Sequence, residues 1–241
     1  MEVIVLAGGL GTRLRSIVSD VPKCLAPVSG KPFLWYLFKY LENYKVNRVV
    51  LSVGYLKEKI YQWVESCGES FPFEIVYAEE TQPLGTGGAI MNSLTHIKGN
   101  DAVVLNGDTF FSIQLDRFFF EYQQLRAPIC IALKEMTDFG RYGTVELNNK
   151  DSRIQSFLEK KHCSRGLING GIYAFNKNFL LNMALPEKFS FETDVLQNVC
   201  GKEGSVSGTI CDNYFIDIGV PSDYERAQVE LIRNIGYVSF D

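Results

Sequence analysis

Val3-Ile4-Val5-Leu6-Ala7-Gly8-Gly9-Leu10-Gly11-Thr12-Arg13 lies at the start of the chain, and Val21-Pro22-Lys23 brings a second cation ten residues after Arg13. The first five of these residues form a short apolar run rich in β-branched side chains, which predicts a buried strand. The three glycines after it remove Cβ atoms where the backbone must turn, so main-chain N–H groups can approach an anion closely. Arg13 adds a permanent charge whose planar fork of donors suits phosphate. Lys23 follows a proline and sits on a stiff turn. The stretch reads as a triphosphate cradle. The commoner glycine motifs do not fit: G-x-G-x-x-G would need glycine at position 14, which is Leu14, and the Gly-Lys-Ser/Thr ending of a Walker A loop is absent. The plainer alternative is a strand-to-helix turn with no ligand, and the two cations weigh against it.

A chain of 241 residues can hold one large α/β domain or two small ones, and 46% hydrophobic residues supply ample core. The net charge of −4 gives no general attraction to nucleic acid, so cations that serve anionic substrates must be concentrated locally. Cys24, Cys67, Cys130, Cys163, Cys200 and Cys211 are widely spaced without a C-x-x-C pair. That pattern suits reduced thiols in a cytosolic protein rather than disulfides or metal ligands. The first strand begins at residue 2 or 3, which leaves no room for a signal peptide. No apolar run approaches the ~20 residues of a membrane span. The expected setting is the cytoplasm, with neither nucleic acid nor membrane as a partner.

Downstream, Phe33, Leu34, Leu37, Phe38 and Leu41 recur at helical spacing, Arg48-Val49-Val50-Leu51-Ser52-Val53 reads as a strand, residues 55–67 as a helix, and Glu74-Ile75-Val76-Tyr77 as a third strand. This βαβαβ rhythm predicts a parallel sheet covered on both faces, with ligands beyond the carboxyl ends of the strands. A helix over 88–97 leads to Ala102-Val103-Val104-Leu105-Asn106, which runs into Gly107-Asp108. A carboxylate ending a buried strand is costly unless paired or bound to metal. Asp217, among apolar neighbours at another strand end, repeats the pattern. A helix over 115–125 contains Phe118-Phe119-Phe120, read as core and subunit contact, so a homodimer is the assembly to test. Ser222 and Glu225 have capping-box spacing at the start of a last helix, whose buried stripe is Tyr224, Ala227, Leu231 and Ile235. His96 and His162 join no catalytic pattern.

Leu6-Ala7-Gly8-Gly9-Leu10-Gly11-Thr12-Arg13, with Pro22-Lys23-Cys24-Leu25-Ala26-Pro27-Val28 and Gly30-Lys31-Pro32, resembles the signature of the sugar-1-phosphate nucleotidylyltransferases. The resemblance runs to about residue 230. It is strongest to the guanylyltransferases for mannose 1-phosphate and D-glycero-D-manno-heptose 1-phosphate. It implies one Rossmann-like, three-layer α/β/α domain with a mixed, mainly parallel central sheet. Within it, about 1–110 would bind nucleotide, about 111–220 sugar phosphate, and a C-terminal helix would cover about 221–236.

By the same resemblance, Arg13 and Lys23 are catalytic, and Leu6, Ala7, Gly8, Gly9, Gly11 and Thr12 bind nucleotide with Glu80, Gly85 and Thr86. Asn106, Gly143, Glu159, Lys160 and Asn169 would bind the sugar phosphate, and Asp108 and Asp217 would hold Mg²⁺. Gly85, Gly87 and Gly88 are read as permitting close backbone approach. Glu80 stands where uridylyl- and thymidylyltransferases of this kind usually carry Gln. A carboxylate only accepts hydrogen bonds, which matches the adjacent N1–H and 2-amino donors of guanine. Glu79 and Gln82 are rivals for that role. Two departures from the pattern stand out: Lys161 follows Glu159-Lys160 where the family often has proline, and Thr193 replaces a lysine beside Glu192 and Asp194.

The expected reaction is in-line attack by a sugar 1-phosphate oxygen on the α-phosphorus of GTP. The nucleophile is already anionic, so catalysis reduces to alignment and neutralisation of charge. Heptose 1-phosphate is the first choice of acceptor. The alternatives are a mannose-1-phosphate guanylyltransferase, a uridylyl- or thymidylyltransferase for a hexose 1-phosphate, and a non-catalytic sugar-nucleotide-binding regulatory subunit.

Overall fold

The computed structural model describes residues 1–9, 14, 18, 20–68, 70–125, 127–148, 150–200 and 205–235. Its elements run β1 (Glu2–Leu6), β2 (Pro27–Val28), β3 (Lys31–Pro32), α1 (Phe33–Leu41), β4 (Arg48–Val53), α2 (Lys57–Ser66), β5 (Glu74–Glu79), α3 (Gly85–Ser93), β6 (Asp101–Asn106), β7 (Thr109–Phe111) and α4 (Leu115–Leu125). They continue as β8 (Ile129–Phe139), β9 (Thr144–Leu147), β10 (Ile154–Leu158), β11 (Cys163–Asn176), α5 (Lys177–Leu181), a π-helical turn over Phe191–Leu196, α6 (Gln197–Val199), β12 (Val206–Cys211), β13 (Phe215–Asp217) and α7 (Pro221–Asn234).

Among the described residues the strands form a nine-stranded sheet and two small ribbons, β2–β3 and β7–β13. Strands β5, β4, β1 and β6 lie side by side in parallel. The inner strands β1, β4 and β6 are largely apolar because both faces are covered, and their successive residues supply opposite layers, whereas β5 at the edge begins and ends in exposed glutamates and buries only Ala78. Val3, Val5, Val49, Leu51, Val103 and Leu105 pack toward α1, α2, α4 and α7. Ile4, Val50, Ala102 and Val104 pack toward α3, α5 and the π-helical turn. These are the three expected layers. Beyond β6 the sheet turns mixed, with β11 antiparallel to both β6 and β8 and β12 parallel to β8.

Two local expectations change. Residues 222–225 form no capping box: the N-cap is Val220 with no side-chain hydrogen bond, and Pro221 occupies the first helical position. There its fixed φ is already helical and its missing N–H leaves nothing unpaired. The helix expected over 88–97 begins at Gly85 and ends in a 3-10 turn over Leu94–His96. The expected stripe of α7 does face the core, with Tyr224, Ala227 and Leu231 buried and Ile235 packed against it.

Candidate active site

The chain steps outward from β1 to β4 to β5 and then returns to place β6 on the far side of β1. Loops leaving the carboxyl ends of β1 and β6 therefore diverge, and a crevice opens where the strand order reverses. A cleft of about 360 Å³ lies there, lined by Leu6, Ala7, Gly8, Gly9, Lys23, Glu80, Gly85, Thr86, Asn106 and Asp108 among the sequence-predicted residues. Gly11, Thr12 and Arg13 lie outside the described residues. Gly9 has open space where a Cβ would stand.

Lys23 begins a 3-10 turn anchored by the buried Cys24 and Leu25. Its Nζ lies 2.5 Å from Asp108 Oδ2 and 3.7 Å from Asp217 Oδ1. The two carboxylates, 109 residues apart in sequence by 217 − 108, meet because β7 and β13 pair antiparallel and the Ile218 N–H donates to the Asp108 carbonyl at 3.0 Å. Asp217 Oδ1 also accepts from the Gly219 N–H at 2.7 Å. Burial, and next the charge of Asp108, raise the Asp217 carboxyl above its ordinary value, while Lys23 pulls the other way. Arg141 closes the cluster from outside, 3.4 Å from Asp217 and paired with Asp223 in the first turn of α7. Two hard oxygen donors converging on one positive charge at a cleft of this size fit Mg²⁺. That ion takes one or two carboxylates and completes its shell with water and phosphate oxygens. Cys24 also lines the cleft, but burial pushes its thiol up to about 12, so it carries no thiolate at neutral pH.

Glu80 follows β5 and turns its side chain into the cleft. Ser52 Oγ donates to Oε1 at 3.0 Å and the Leu84 N–H to Oε2 at 3.1 Å. A Cβ on Gly8 would stand 2.8 Å from Oε1, so that glycine makes room for the carboxylate. The two rivals point elsewhere. Glu79 is tied to Lys57 and Tyr61 on α2, and Gln82 donates to Glu187.

The glycines at the start of α3 serve a different neighbour from the one their spacing suggests. Cβ atoms on Gly85, Gly87 and Gly88 would meet the Phe189 carbonyl at 2.4 Å, the Phe189 ring at 2.1 Å and the Glu187 carbonyl at 2.4 Å. The close backbone approach is that of residues 187–189. They pair with the loop through Phe189 N–H to Leu84 O and Gly87 N–H to Phe189 O, each 3.0 Å. Thr86 Oγ1 continues the seam, donating to Glu192 at 2.6 Å and accepting from the Phe191 N–H at 2.9 Å.

Around Asn169, one of the residues expected to meet the sugar phosphate, β11 breaks register between Asn169 and Tyr173, with Gly171 at φ +74°. A Cβ there would stand 2.8 Å from Asn106 Nδ2, so the bulge admits Asn106. Asn169 turns back on its own strand, accepting from the Gly171 N–H at 2.9 Å and donating to the Tyr173 hydroxyl at 3.0 Å. That hydroxyl reaches Glu192 at 3.4 Å. Gly143 precedes β9, where a Cβ would meet the Leu158 carbonyl at 2.6 Å. Glu159 and Lys160 follow Leu158 and are exposed. Gly143, Glu159, Lys160, Asn169 and Asp217 are not among the residues that line the cleft, although Asp217 is tied to Lys23, which does.

Residues 2–234 match the family model described as Nucleotidyl transferase. The chain belongs to that family. It is 47% identical to D-glycero-alpha-D-manno-heptose 1-phosphate guanylyltransferase of Campylobacter jejuni, over 93% of this chain and 97% of the relative. It is 45% identical to the protein of the same name from Aneurinibacillus thermoaerophilus, over 96% and 98%. A crystal structure of HddC from Yersinia pseudotuberculosis complexed with GMP-PN matches with a TM-score of 0.82 at 36% identity, covering 95% of this chain and 98% of that one.

Three parts of this nucleotidyltransferase site escape a reading of the sequence. Arg141 sits two residues before Gly143, but its partners Asp217 and Asp223 are far along the chain. Ser52 reads as one polar residue in an apolar strand, and that polarity in a buried strand was the available signal. The clasp by residues 187–189 has no local signature.

Proposed function

We propose that the chain transfers GMP from GTP to D-glycero-α-D-manno-heptose 1-phosphate, releasing pyrophosphate and forming the GDP-sugar. The observation that carries this reading is that Lys23 and Asp108 line the same cleft as the Glu80 carboxylate, with Asp217 joined to them through Lys23. The near full-length identity to two heptose 1-phosphate guanylyltransferases supports the choice of sugar.

Both substrates are phosphates and repel each other. Residues in about 1–110 bind GTP: the backbone of Leu6, Ala7, Gly8 and Gly9, with Gly11 and Thr12, surrounds the phosphates, and Gly85 and Thr86 border the base. Glu80 accepts two hydrogen bonds from guanine, whereas the O4 acceptor of uracil would face a carboxylate that cannot donate. Residues in about 111–220 receive the sugar phosphate, with Lys160 on the phosphate, Glu159 on the hydroxyls, and Asn106, Gly143 and Asn169 nearby. Lys23 draws the two phosphates together, and Arg13 neutralises the leaving pyrophosphate. No general base is required, because the attacking oxygen already carries charge. Asp108 and Asp217 would hold Mg²⁺, which supplies additional neutralisation of phosphate charge.

Among the described residues no helix is long and apolar enough to cross a membrane, and the cysteines are free thiols. The latter supports a cytoplasmic setting. The homodimer rests on Phe120 alone, 60% exposed on α4, and light scattering would test it. Pyrophosphate release measured across four nucleoside triphosphates and several sugar 1-phosphates tests the whole assignment. The expected outcome is a maximum at GTP with the heptose phosphate, and a maximum at UTP or dTTP would replace it.

A further inference from the structure

We propose that Ser52 is a specificity-determining positioning residue. By donating to Glu80 Oε1 it holds the carboxylate in the one orientation that presents both oxygens to the N1–H and 2-amino group of guanine. This inference rests on the reading of Glu80 as the group that selects the base.

Residues 49–53 of β4 read Val-Val-Leu-Ser-Val, and all five are buried. A hydroxyl in such a strand carries a desolvation cost unless it has a partner. Ser52 is fully buried, and its Oγ finds that partner in Glu80 Oε1 at 3.0 Å. Its position is fixed by the sheet: Ser52 lies in register with Leu6 on β1 and Ala78 on β5, and its carbonyl accepts from the Ala7 N–H at 2.9 Å. The hydroxyl is therefore carried by the rigid centre of the molecule rather than by a loop.

The second anchor is the Leu84 N–H, 3.1 Å from Oε2. One donor on each oxygen fixes the carboxylate plane, whereas a single donor would leave it free to swivel about the last side-chain torsion. Two ionised oxygens offer about four acceptor sites, so two remain after these bonds, one on each oxygen. Gly8 keeps the side near Oε1 clear of a Cβ, and Ser52 and Glu80 both line the cleft. The same frame predicts what an amide would do at position 80. The Leu84 N–H demands an oxygen beside it, so the NH₂ would face Ser52, whose hydroxyl can turn and accept. The cleft would then see one acceptor and one donor, the complement of a pyrimidine edge.

The test measures dissociation constants of GTP, UTP and inosine triphosphate, which lacks the 2-amino group, by calorimetry with Mg²⁺ and without sugar phosphate. Ser52→Ala should narrow the preference for GTP over inosine triphosphate by ~10-fold, the scale of a hydrogen bond to a charged group. Ser52→Thr, which keeps the hydroxyl, should restore the preference, and the KM of the sugar phosphate should not move in either variant. Glu80→Gln should relax the preference further and admit UTP. Equal weakening of all three nucleotides by Ser52→Ala, with a lower melting temperature, would make the serine merely structural and overturn the proposal. An unchanged preference in Ser52→Ala alongside a relaxed Glu80→Gln would overturn the role of Ser52 alone. An unchanged preference in Glu80→Gln would remove the base reading and this inference with it.

Discussion

The residues proposed to hold the nucleotide and those proposed to hold the acceptor are built into the fold differently. On the nucleotide side, Lys23, Asp108 and Glu80 are held from at least two directions each, by partners on β-strands or tight turns. On the acceptor side, Glu159 and Lys160 stand exposed past the end of β10, and Asn169 hydrogen-bonds within its own strand. Charges that act on the reacting phosphates gain most from being fixed beforehand, because nothing then reorganises during the reaction. A long exposed lysine gives up rotamer freedom when it engages, about 1.5–2 kcal/mol. If the proposed roles hold, the difference means that the nucleotide side is ready-made and the acceptor side is left to be ordered by the second substrate.

Lys23→Ala is the heaviest blow to that contrast. It removes the positive charge between Asp108 and Asp217, and turnover in a pyrophosphate-release assay should fall ~10²–10³-fold, the usual effect of losing one positioned charge. Near-normal turnover would mean that the nucleotide side is not prepared by this cluster. Gly85→Ala tests how firmly the base loop is held. Gly85 has φ +75° and its Cβ would meet the Phe189 carbonyl at 2.4 Å, so about 2–3 kcal/mol of stability should go, read as a lower melting temperature. Lys160→Ala sharpens the acceptor side: the KM for the sugar phosphate should rise ~10-fold while that for GTP stays put. A matching rise in the KM for GTP would erase the distinction.

The smallest effect concerns pH. Burial raises the Cys24 thiol from 9.0 to about 12 in the folded protein, so folding favours the neutral thiol. The unfolded chain loses that proton first as pH rises, and the contribution is complete below about 9 and fades between 9 and 12. At pH 10, one pH unit past the unfolded value, ~1 kcal/mol of it should have been lost. Cys24→Ala should flatten the fall in melting temperature over that range, and identical slopes would show that the thiol is more accessible than its burial implies.

The strands of the nucleotide side were legible because period-2 burial on two faces leaves an unbroken apolar run, as in residues 3–7 and 102–105. Asp108 and Asp217 stood out because a carboxylate at a buried strand end demands an explanation. What could not be read is long-range pairing. Ser222 and Glu225 had the spacing of a capping box, yet Pro221 took the first helical position and Asp223 pairs with Arg141 and Arg226. The glycines at 85–88 were visible, but their spacing says only that something comes close, and here it is residues 187–189.

That clasp links chain segments about a hundred positions apart, and it bears on how the protein is made. While only the first half has emerged from the ribosome, the partners of Leu84 and Gly87 do not yet exist, and β6 lacks the β11 strand beside it. Contacts of such separation form late, since the intervening loop must close first. The parts about 1–110 and 111–220, proposed to hold nucleotide and sugar phosphate, are therefore not expected to be two folding units. A fragment ending near residue 110 would carry most of the nucleotide-side residues without the brace that shapes their loop.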